Sequence, residues 1–373
     1  MVRWTTWSDR EEIRALWRLR FGDSEAFTGW FFSERFSPDH SAVSVEDGRV
    51  VSAIQSFPLH IKIRDAVLPC AVIAGVSTLP AYEGRGHMGR TMRFYMNGIA
   101  ARGAVVIPYR PEIIDMYRGF GHFPVSRTAY FHVPAPAGLA ADTPAVPLDL
   151  RRDEAAMHAC YARFARRYSG IISRSLPDMR LKLADYASDG AKALGVFEGT
   201  SLRGYCVYFG RETVYAEEVI ANDAPCEGAL LRALCREAAR TGKEVRGKLP
   251  PDARLPDGGT APQVETDLRP MGVMGVADAG ALLRAVCGIR DYRVEVTDGT
   301  VAANYGAYDF TGNRTDKAPH VRLPAGRLAQ FLCGYHTLAE LADAGYADMF
   351  DPAAARELDA AFPPQACYIV DEY

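Results

Sequence analysis

The sequence predicts an α/β (α+β) fold, with mixed sheets flanked by helices along a chain of more than one domain. Three observations lead there. At 373 residues the chain exceeds the size at which one core keeps growing. Strand-like runs and helical periodicity alternate through most of its length. One stretch, 72–95, reads VIAGVSTLPAYEGRGHMGRTMRFY, a strand, a glycine loop and a helix in direct succession.

Ser8-Asp9-Arg10-Glu11 ahead of Ile13, Leu16, Trp17 and Phe21 predicts a capped amphipathic helix. Phe27, Trp30, Phe31 and Phe36 predict a second. Residues 42–45, 50–57 and 60–63 read as strands, with Asp47-Gly48 as a hairpin turn. The strand at 71–76 follows, then Pro80 and a turn holding Gly84, Gly86 and Gly89. The helix after it carries Met88, Met92, Tyr95 and Met96 on one side. Residues 104–108 give the next strand, and 114–120 a short helix ending at Gly121.

Strand, glycine loop and helix together present free backbone N–H groups to a phosphate at a positive helix end. Glycine allows the close approach of chain to ligand, and Arg85 and Arg90 add mobile positive charge. The same glycines suit an ordinary tight βα connection, so the loop alone does not decide. Spacing excludes two rivals. No Lys-Ser or Lys-Thr follows, so the G-x-x-x-x-G-K-[ST] loop is absent. Residues 84–89 do match G-x-G-x-x-G, but that fingerprint belongs near a chain's first strand, and a helix and at least two strands precede it here.

Val76-Ser77-Thr78, Pro80 and Arg85-Gly86 opening a helix resemble the acetyl-CoA motif of the GNAT N-acetyltransferase superfamily. Met116-Tyr117-Arg118-Gly119-Phe120-Gly121 and the early FGDSEAFTGWFF segment are similar to its Eis-like (enhanced intracellular survival) branch. The resemblance implies tandem GNAT-like domains followed by a sterol-carrier-protein-like α+β domain. The corresponding boundaries are 1–132 for the catalytic GNAT domain, 133–270 for a second, degenerate one, and 271–373 for the sterol-carrier-like domain. It further implies acetyl-CoA as co-substrate, with the backbone of Val76, Ser77 and Thr78 pairing with the pantetheine arm. Gly84, Arg85, Gly86, His87, Met88 and Gly89 would hold the pyrophosphate, with Glu112 and Ile113 as further cofactor contacts. Two residues depart from the pattern: Glu83 where the superfamily places Arg or Gln, and Met88 in place of a small residue.

Further along, 133–147 is rich in Ala and Pro and reads as a linker. Residues 151–168 and 229–239 look helical, 193–197 with 204–210 a hairpin, and 213–220 a strand. A Pro- and Gly-rich loop spans 252–262. A helix at 278–286, capped by Asp278, precedes strands at 293–297, 300–310 and 321–323 and helices at 325–332 and 337–344.

Composition excludes several classes. Hydrophobic residues at 48% and charged residues at 24% are globular values, which excludes a disordered chain. A net charge of −3 gives no electrostatic case for nucleic-acid or membrane-surface partners, and suits a cationic small molecule. The eight cysteines are scattered with no C-x-x-C pair, so neither a zinc site nor any other metal is expected. The charged start, MVRWTTWSDREE, has no apolar leader region, and no run approaches 18 apolar residues. A cytoplasmic, reduced protein is expected. Resemblance adds a homo-oligomer, a hexamer in many Eis-like proteins.

Acetyl transfer from a thioester to an amine requires a polarised carbonyl, a deprotonated amine and a stabilised leaving thiolate. Tyr117, one βα unit beyond the glycine loop, is the candidate proton donor to the thiolate, against the plainer reading of a core tyrosine. The base carried over from the resemblance is the carboxylate of Tyr373, with Glu372 beside it. His87 reads as a phosphate contact or an exposed loop histidine, and His122 as a lining residue of the acyl site. Asp23 and Trp30 are candidates for the amine pocket, with Glu372 as a second anion; solvated surface charge is the alternative for Asp23. The function expected is N-acetylation of primary amines of an aminoglycoside-, polyamine- or lysine-like substrate. The alternative is a non-catalytic acyl-CoA or lipid-binding protein on a degenerate GNAT fold.

Overall fold

A computed structural model describes residues 1–139, 143–253 and 264–372. The chain divides into two compact units. The first takes in Met1–Ser126, Ser169–Ile172 and the chain from Met271 on; the second takes in Arg127–Tyr168 and Ser173–Pro270.

The chain opens with β1 (Val2–Trp4), α1 (Arg10–Arg20) and α2 (Glu25–Trp30), the last continuing as a π-helical turn over Phe31–Arg35. Strands β2 (Ala42–Glu46), β3 (Arg49–Ile63) and β4 (Ala66–Thr78) pair antiparallel in sequence. Helix α3 (His87–Ile99) connects β4 to β5 (Val106–Tyr109), which is parallel to β4. Then come α4 (Asp115–Arg118) and β6 (Phe123–Pro124).

The second unit supplies β7 (Arg127–Val133), β8 (Val146–Leu148) and α5 (Glu154–Ala165). A brief return to the first unit gives β9 (Ile171–Ile172), paired with β3. The second unit continues with α6 (Leu176–Ser188), β10 (Lys192–Glu198), β11 (Ser201–Gly210) and β12 (Val214–Ala221). It ends with α7 (Ala224–Thr241), β13 (Val245–Leu249) and β14 (Glu265–Pro270). Its sheet runs β14-β7-β13-β12-β11-β10-β8. Helix α7 buries Leu230, Leu234 and Cys235 against Cys206, Val219 and their neighbours.

Strand β15 (Val273–Val276) returns to the first unit and inserts between β5 and β6. It completes the order β1-β2-β3-β4-β5-β15-β6. Beyond it lie α8 (Ala279–Val286), β16 (Ile289–Thr297), β17 (Gly306–Phe310), β18 (Val321–Pro324) and α9 (Ala325–Cys333). Helix α10 (Leu338–Asp343), β19 (Asp348–Met349) and α11 (Pro352–Ala361) follow, the four strands forming a sheet β17-β16-β18-β19.

Apolar side chains alternate across the first sheet as a pleat requires. One face buries Ile13, Leu16 and Trp17 of α1 with Phe31, Phe32, Ala53 and Val72, in a core that runs on to Leu282 and Phe331. The other packs Ile54, Ile73, Ile107 and Tyr109 against Met92, Tyr95, Met96 and Ile99 of α3. Each large side chain so buried contributes about 1.5–3 kcal/mol relative to exposure.

Several elements differ from the sequence reading. β3 is one strand rather than two, running through Pro58 opposite Ala71. Pairing with β2 ends at Ile54 and pairing with β9 begins at Ile61, so proline sits where one edge of β3 is open. Of 300–310, Ala302–Asn304 form a 3-10 turn and only Gly306–Phe310 is extended. The expected linker begins at the end of β7 and ends in β8, and its residues 140–142 lie outside the described residues, as does most of the loop at 252–262.

Candidate active site

The site is built on the far end of β4. Strand β4 pairs with β3 along its whole length, but its ladder with β5 consists of Cys70↔Val106 alone. From Val106 to Tyr109 the other edge of β5 pairs with β15, while among the described residues β5 makes no further pair with β4. The backbone of β4 from Val72 to Thr78 therefore has one edge without a neighbouring strand among the described residues. An unpaired strand edge offers alternating N–H and C=O groups to an extended ligand.

A β-bulge lies between the pairs Gln55↔Gly75 and Ser56↔Ile73. It reverses which way the strand faces. Ile73 packs on the α3 side, whereas a Cβ at Gly75 would meet Trp17 Cζ3 at 2.4 Å on the α1 side. Gly75 is thus fixed by close approach. Ser77 is buried, while Val76 and Thr78 are partly exposed, and Val76 packs against the α3-side core.

After Thr78 a 3-10 turn over Pro80–Tyr82 leads into the glycine loop. Gly84 and Gly86 adopt φ of +72° and +77°, and nothing lies within 4 Å of a Cβ at Gly84. Gly86 is the N-cap of α3, with no side-chain cap hydrogen bond. Among the described residues, no hydrogen bond takes up the backbone N–H groups from Arg85 to Gly89. These donors, at the positive end of a thirteen-residue helix, face an open loop. This is the local chemistry of an anion site.

The charged residues around the loop are tied to one another. Arg85 lies 3.9 Å from Glu46 and over the Tyr82 ring, 5.0 Å from its centroid. Arg90 Nη1 donates to the Arg85 carbonyl at 3.0 Å. Glu83 pairs with Arg20 at 2.8 Å, so its carboxylate is partly neutralised. The reading of His87 as an exposed loop residue is corrected. Its ring is 4% exposed, held by Ser44 Oγ at Nδ1 (2.9 Å) and Glu46 at Nε2 (3.1 Å). Only its backbone N–H is placed to serve the loop. Met88 and Gly89 form the first turn of α3; Met88 packs on the α3-side core, and a Cβ at Gly89 would lie 3.8 Å from Phe120.

Tyr117, on α4, belongs to the same core as Val76 and Met88. Its ring stands edge-on to Tyr109, centroids 5.1 Å apart at 80°. Burial pushes its phenol up to about 12, so it is a protonated donor throughout the neutral range. Among the described residues, nothing bonds its hydroxyl. Tyr109 Oη lies 2.6 Å from His122 Nδ1. His122 is fully buried, which drops its imidazole to about 3, so it supports Tyr109 as a neutral ring rather than lining open space. Glu112 and Ile113 are exposed on the turn after β5.

The C-terminal tail is docked as far as it is described. Tyr368 to Asp371 are buried, and the Ile369 N–H donates to Ser126 Oγ at 2.8 Å. Glu372 reaches Arg110, at 3.7 Å, the residue after Tyr109. Tyr373 lies outside the described residues. Asp23 and Trp30 sit on the α1 side: Asp23 accepts from Trp17 Nε1 at 2.8 Å, and Trp30 packs on Phe27 at 6.0 Å. The structure thus gathers Val76, Met88 and Tyr117 in one cluster and brings Glu372 to the end of β5, with Asp23 and Trp30 on the opposite sheet face. Sequence reasoning missed Gly75, Tyr109 and Arg110. For the last two, the polar Tyr109-Arg110 pair ending an apolar strand was the available signal.

Residues 1–125 match the acetyltransferase (GNAT) domain family, and residues 282–370 the sterol carrier protein domain family. No curated protein matches the chain. A GCN5-related N-acetyltransferase from Kribbella flavida is similar over 100% of both chains, at 20% identity and a TM-score of 0.77. A probable N-acyltransferase from Enterococcus faecalis is similar over 100% of this chain and 99% of its own, at 16% identity and 0.82. Eis1 from Mycobacterium abscessus is similar over 100% of both chains, at 19% identity and 0.75. Residues 1–125 are therefore a GNAT acetyltransferase domain. The chain as a whole has an Eis-like GNAT fold carrying a sterol carrier protein domain. Among the described residues, no group of three His, Cys, Asp or Glu side chains could hold a metal, all eight cysteines are free, and no helix is long and apolar enough to cross a membrane.

Proposed function

We propose that the protein transfers an acetyl group from acetyl-CoA to a primary amine of a small cationic substrate. The observation that carries this reading is the unpaired β4 edge opening onto the free N–H groups of the α3 N-terminus. Val76 to Thr78 would pair with the amide-bearing arm of coenzyme A, and Arg85 to Gly89 would receive its pyrophosphate. Glu112 and Ile113 would contact the coenzyme from the turn after β5.

In this reading the amine nitrogen forms a bond to the thioester carbonyl carbon as the carbon–sulfur bond breaks. Tyr117 donates its phenolic proton to the departing sulfur, and the Tyr373 carboxylate takes the proton released by the amine, directly or through water. Glu372 and Asp23 supply negative charge for the cation, and Trp30 an apolar wall. The division into domains at 1–132, 133–270 and 271–373, a homo-oligomeric assembly and a cytoplasmic location belong to the same reading, supported by the resemblance to Eis-like proteins.

Titration calorimetry with acetyl-CoA, followed by detection of free thiol when an amine is added, tests it. Binding together with amine-dependent thiol release is expected. Tight acetyl-CoA binding without release across aminoglycosides, polyamines and lysine would overturn the catalytic reading.

A further inference from the structure

The side chains beneath the glycine loop form a relay of hydrogen bonds that ends on the loop's own backbone. Arg90 folds back over Gly86, where a Cβ would lie 3.2 Å from its Nη1. That Nη1 donates to the Arg85 carbonyl at 3.0 Å, while Nη2 lies 3.2 Å from Nδ1 of His87. The His87 ring is buried, with Ser44 Oγ 2.9 Å from the same Nδ1 and Glu46 3.1 Å from Nε2. Tyr82 stands edge-on to it, centroids 5.8 Å apart.

These partners fix where the histidine carries its proton. A guanidinium has N–H groups and no acceptor, so the Nδ1 that faces Arg90 must accept. The Ser44 hydroxyl then turns to donate to the same nitrogen. The single ring proton is left on Nε2, where Glu46 accepts it. The opposite tautomer would set a bare Nε2 against a carboxylate and an N–H against a guanidinium. An imidazolium would keep the Glu46 bond but repel Arg90. Only the Nε2–H ring serves all three partners.

Arg90 held in this way is not a mobile charge. One arm of its fork is anchored on a buried ring, and the other ties the Arg85 carbonyl to α3. No peptide bond among the described residues is cis, so the Gly86 N–H points opposite to that carbonyl, away from Arg90. The ring of His87 does not itself face the loop; it acts through Arg90. We propose that Arg90 and His87 are positioning residues for the coenzyme. Glu46 and Ser44 orient His87, His87 anchors Arg90, and Arg90 sets the peptide whose N–H meets the pyrophosphate, without touching the phosphate itself. This rests on the acetyltransferase reading.

The test is calorimetry with acetyl-CoA on Arg90→Lys, Arg90→Leu, His87→Gln and the Arg90→Leu/His87→Gln double variant, with melting temperatures recorded. Lysine keeps the charge but lacks the fork. Both Arg90 variants should bind acetyl-CoA about tenfold more weakly, the worth of one hydrogen bond to a charged group. Their melting temperatures should stay native, because Arg90 is exposed. KM for acetyl-CoA should rise while KM for the amine does not. Adding His87→Gln to Arg90→Leu should weaken binding no further, since the two act along one relay. Heteronuclear NMR of the native imidazole should show a bare Nδ1 and a proton on Nε2. Native affinity in Arg90→Lys, or losses that add in the double variant, would make Arg90 a direct phosphate ligand and overturn the assignment. An imidazolium or an Nδ1–H ring would overturn it as well. Acetyl-CoA binding by the native chain without thiol release would overturn the transferase reading alone, and no binding at all would overturn both.

Discussion

The Arg110 guanidinium, 1% exposed, stands 3.7 Å from the Glu372 carboxylate, which brings the C-terminal tail to the end of β5. Arg110 follows Tyr109, and Tyr109 packs edge-on against Tyr117. Glu372 thus stands at the end of the strand that carries Tyr109. Removing Tyr373 alone would retract the carboxylate by about 3.5 Å, beyond hydrogen-bond tolerance. Turnover should fall by about a hundredfold or more, the range for losing a general base. Acetyl-CoA affinity should hold, because Arg85 to Gly89 are untouched. Full turnover in the shortened chain would remove Tyr373 from the mechanism.

Tyr117→Phe tests the donor. The substitution keeps the ring against Tyr109, so packing and acetyl-CoA binding should survive while kcat drops by about tenfold to a thousandfold. Burial pushes the native phenol up to about 12, which makes the protonated form the active one across neutral pH. A kcat profile of the native enzyme should therefore show no loss assignable to Tyr117 below about pH 11. If the phenylalanine variant keeps native kcat, the thiolate is protonated by another group or by water.

At the phosphate loop, Gly86→Asp places a carboxylate at the N-terminus of α3 on a residue with φ +77°. Repulsion of a pyrophosphate and strain in the left-handed conformation act together. Calorimetry should show acetyl-CoA binding lost while the circular dichroism spectrum is native. Glu83→Gln works the other way, removing a negative charge and freeing Arg20 from its 2.8 Å pair. Affinity should rise a few-fold at low salt, and the gain should shrink as ionic strength grows. An equal gain at high and low salt would show that Glu83 acts by shape rather than charge.

Local signals made the strand–loop–helix unit legible: the glycines, Pro80 and the methionine stripe of α3 each dictate their own structure. Long-range placement was not legible. Nothing in the residues of β15 announces that a strand from 273–276 will insert between β5 and β6. Helix α6 escaped notice because its inward face carries Lys182 and Asp185, buried as a 2.6 Å pair, which breaks the apolar periodicity. His87 was misplaced for a related reason. A glycine loop suggests exposure, and only the folded position of Glu46 on β2 provides the partner that draws the ring inward.

The buried pair of Tyr109 and His122 leads to a pH dependence of stability. In the folded chain His122 takes a proton only near pH 3, because burial disfavours its charged form. In the unfolded chain the ring takes a proton near pH 6.5. Between these values the unfolded state binds more protons, so stability falls as pH falls through the window, in total by about 3–5 kcal/mol. His40 and His320 are also held below their ordinary values by burial and contribute the same sign, but they are common to the native chain and to a His122→Gln variant. Urea midpoints measured at pH 7, 6, 5 and 4 should therefore decline more steeply for the native chain than for the variant. At pH 7 the variant should be the less stable of the two, since glutamine fits the space against Gly275 less well; a Cβ at Gly275 would already lie 2.2 Å from His122 Nε2. Parallel declines would mean that His122 is protonated, or reached by water, in the folded state.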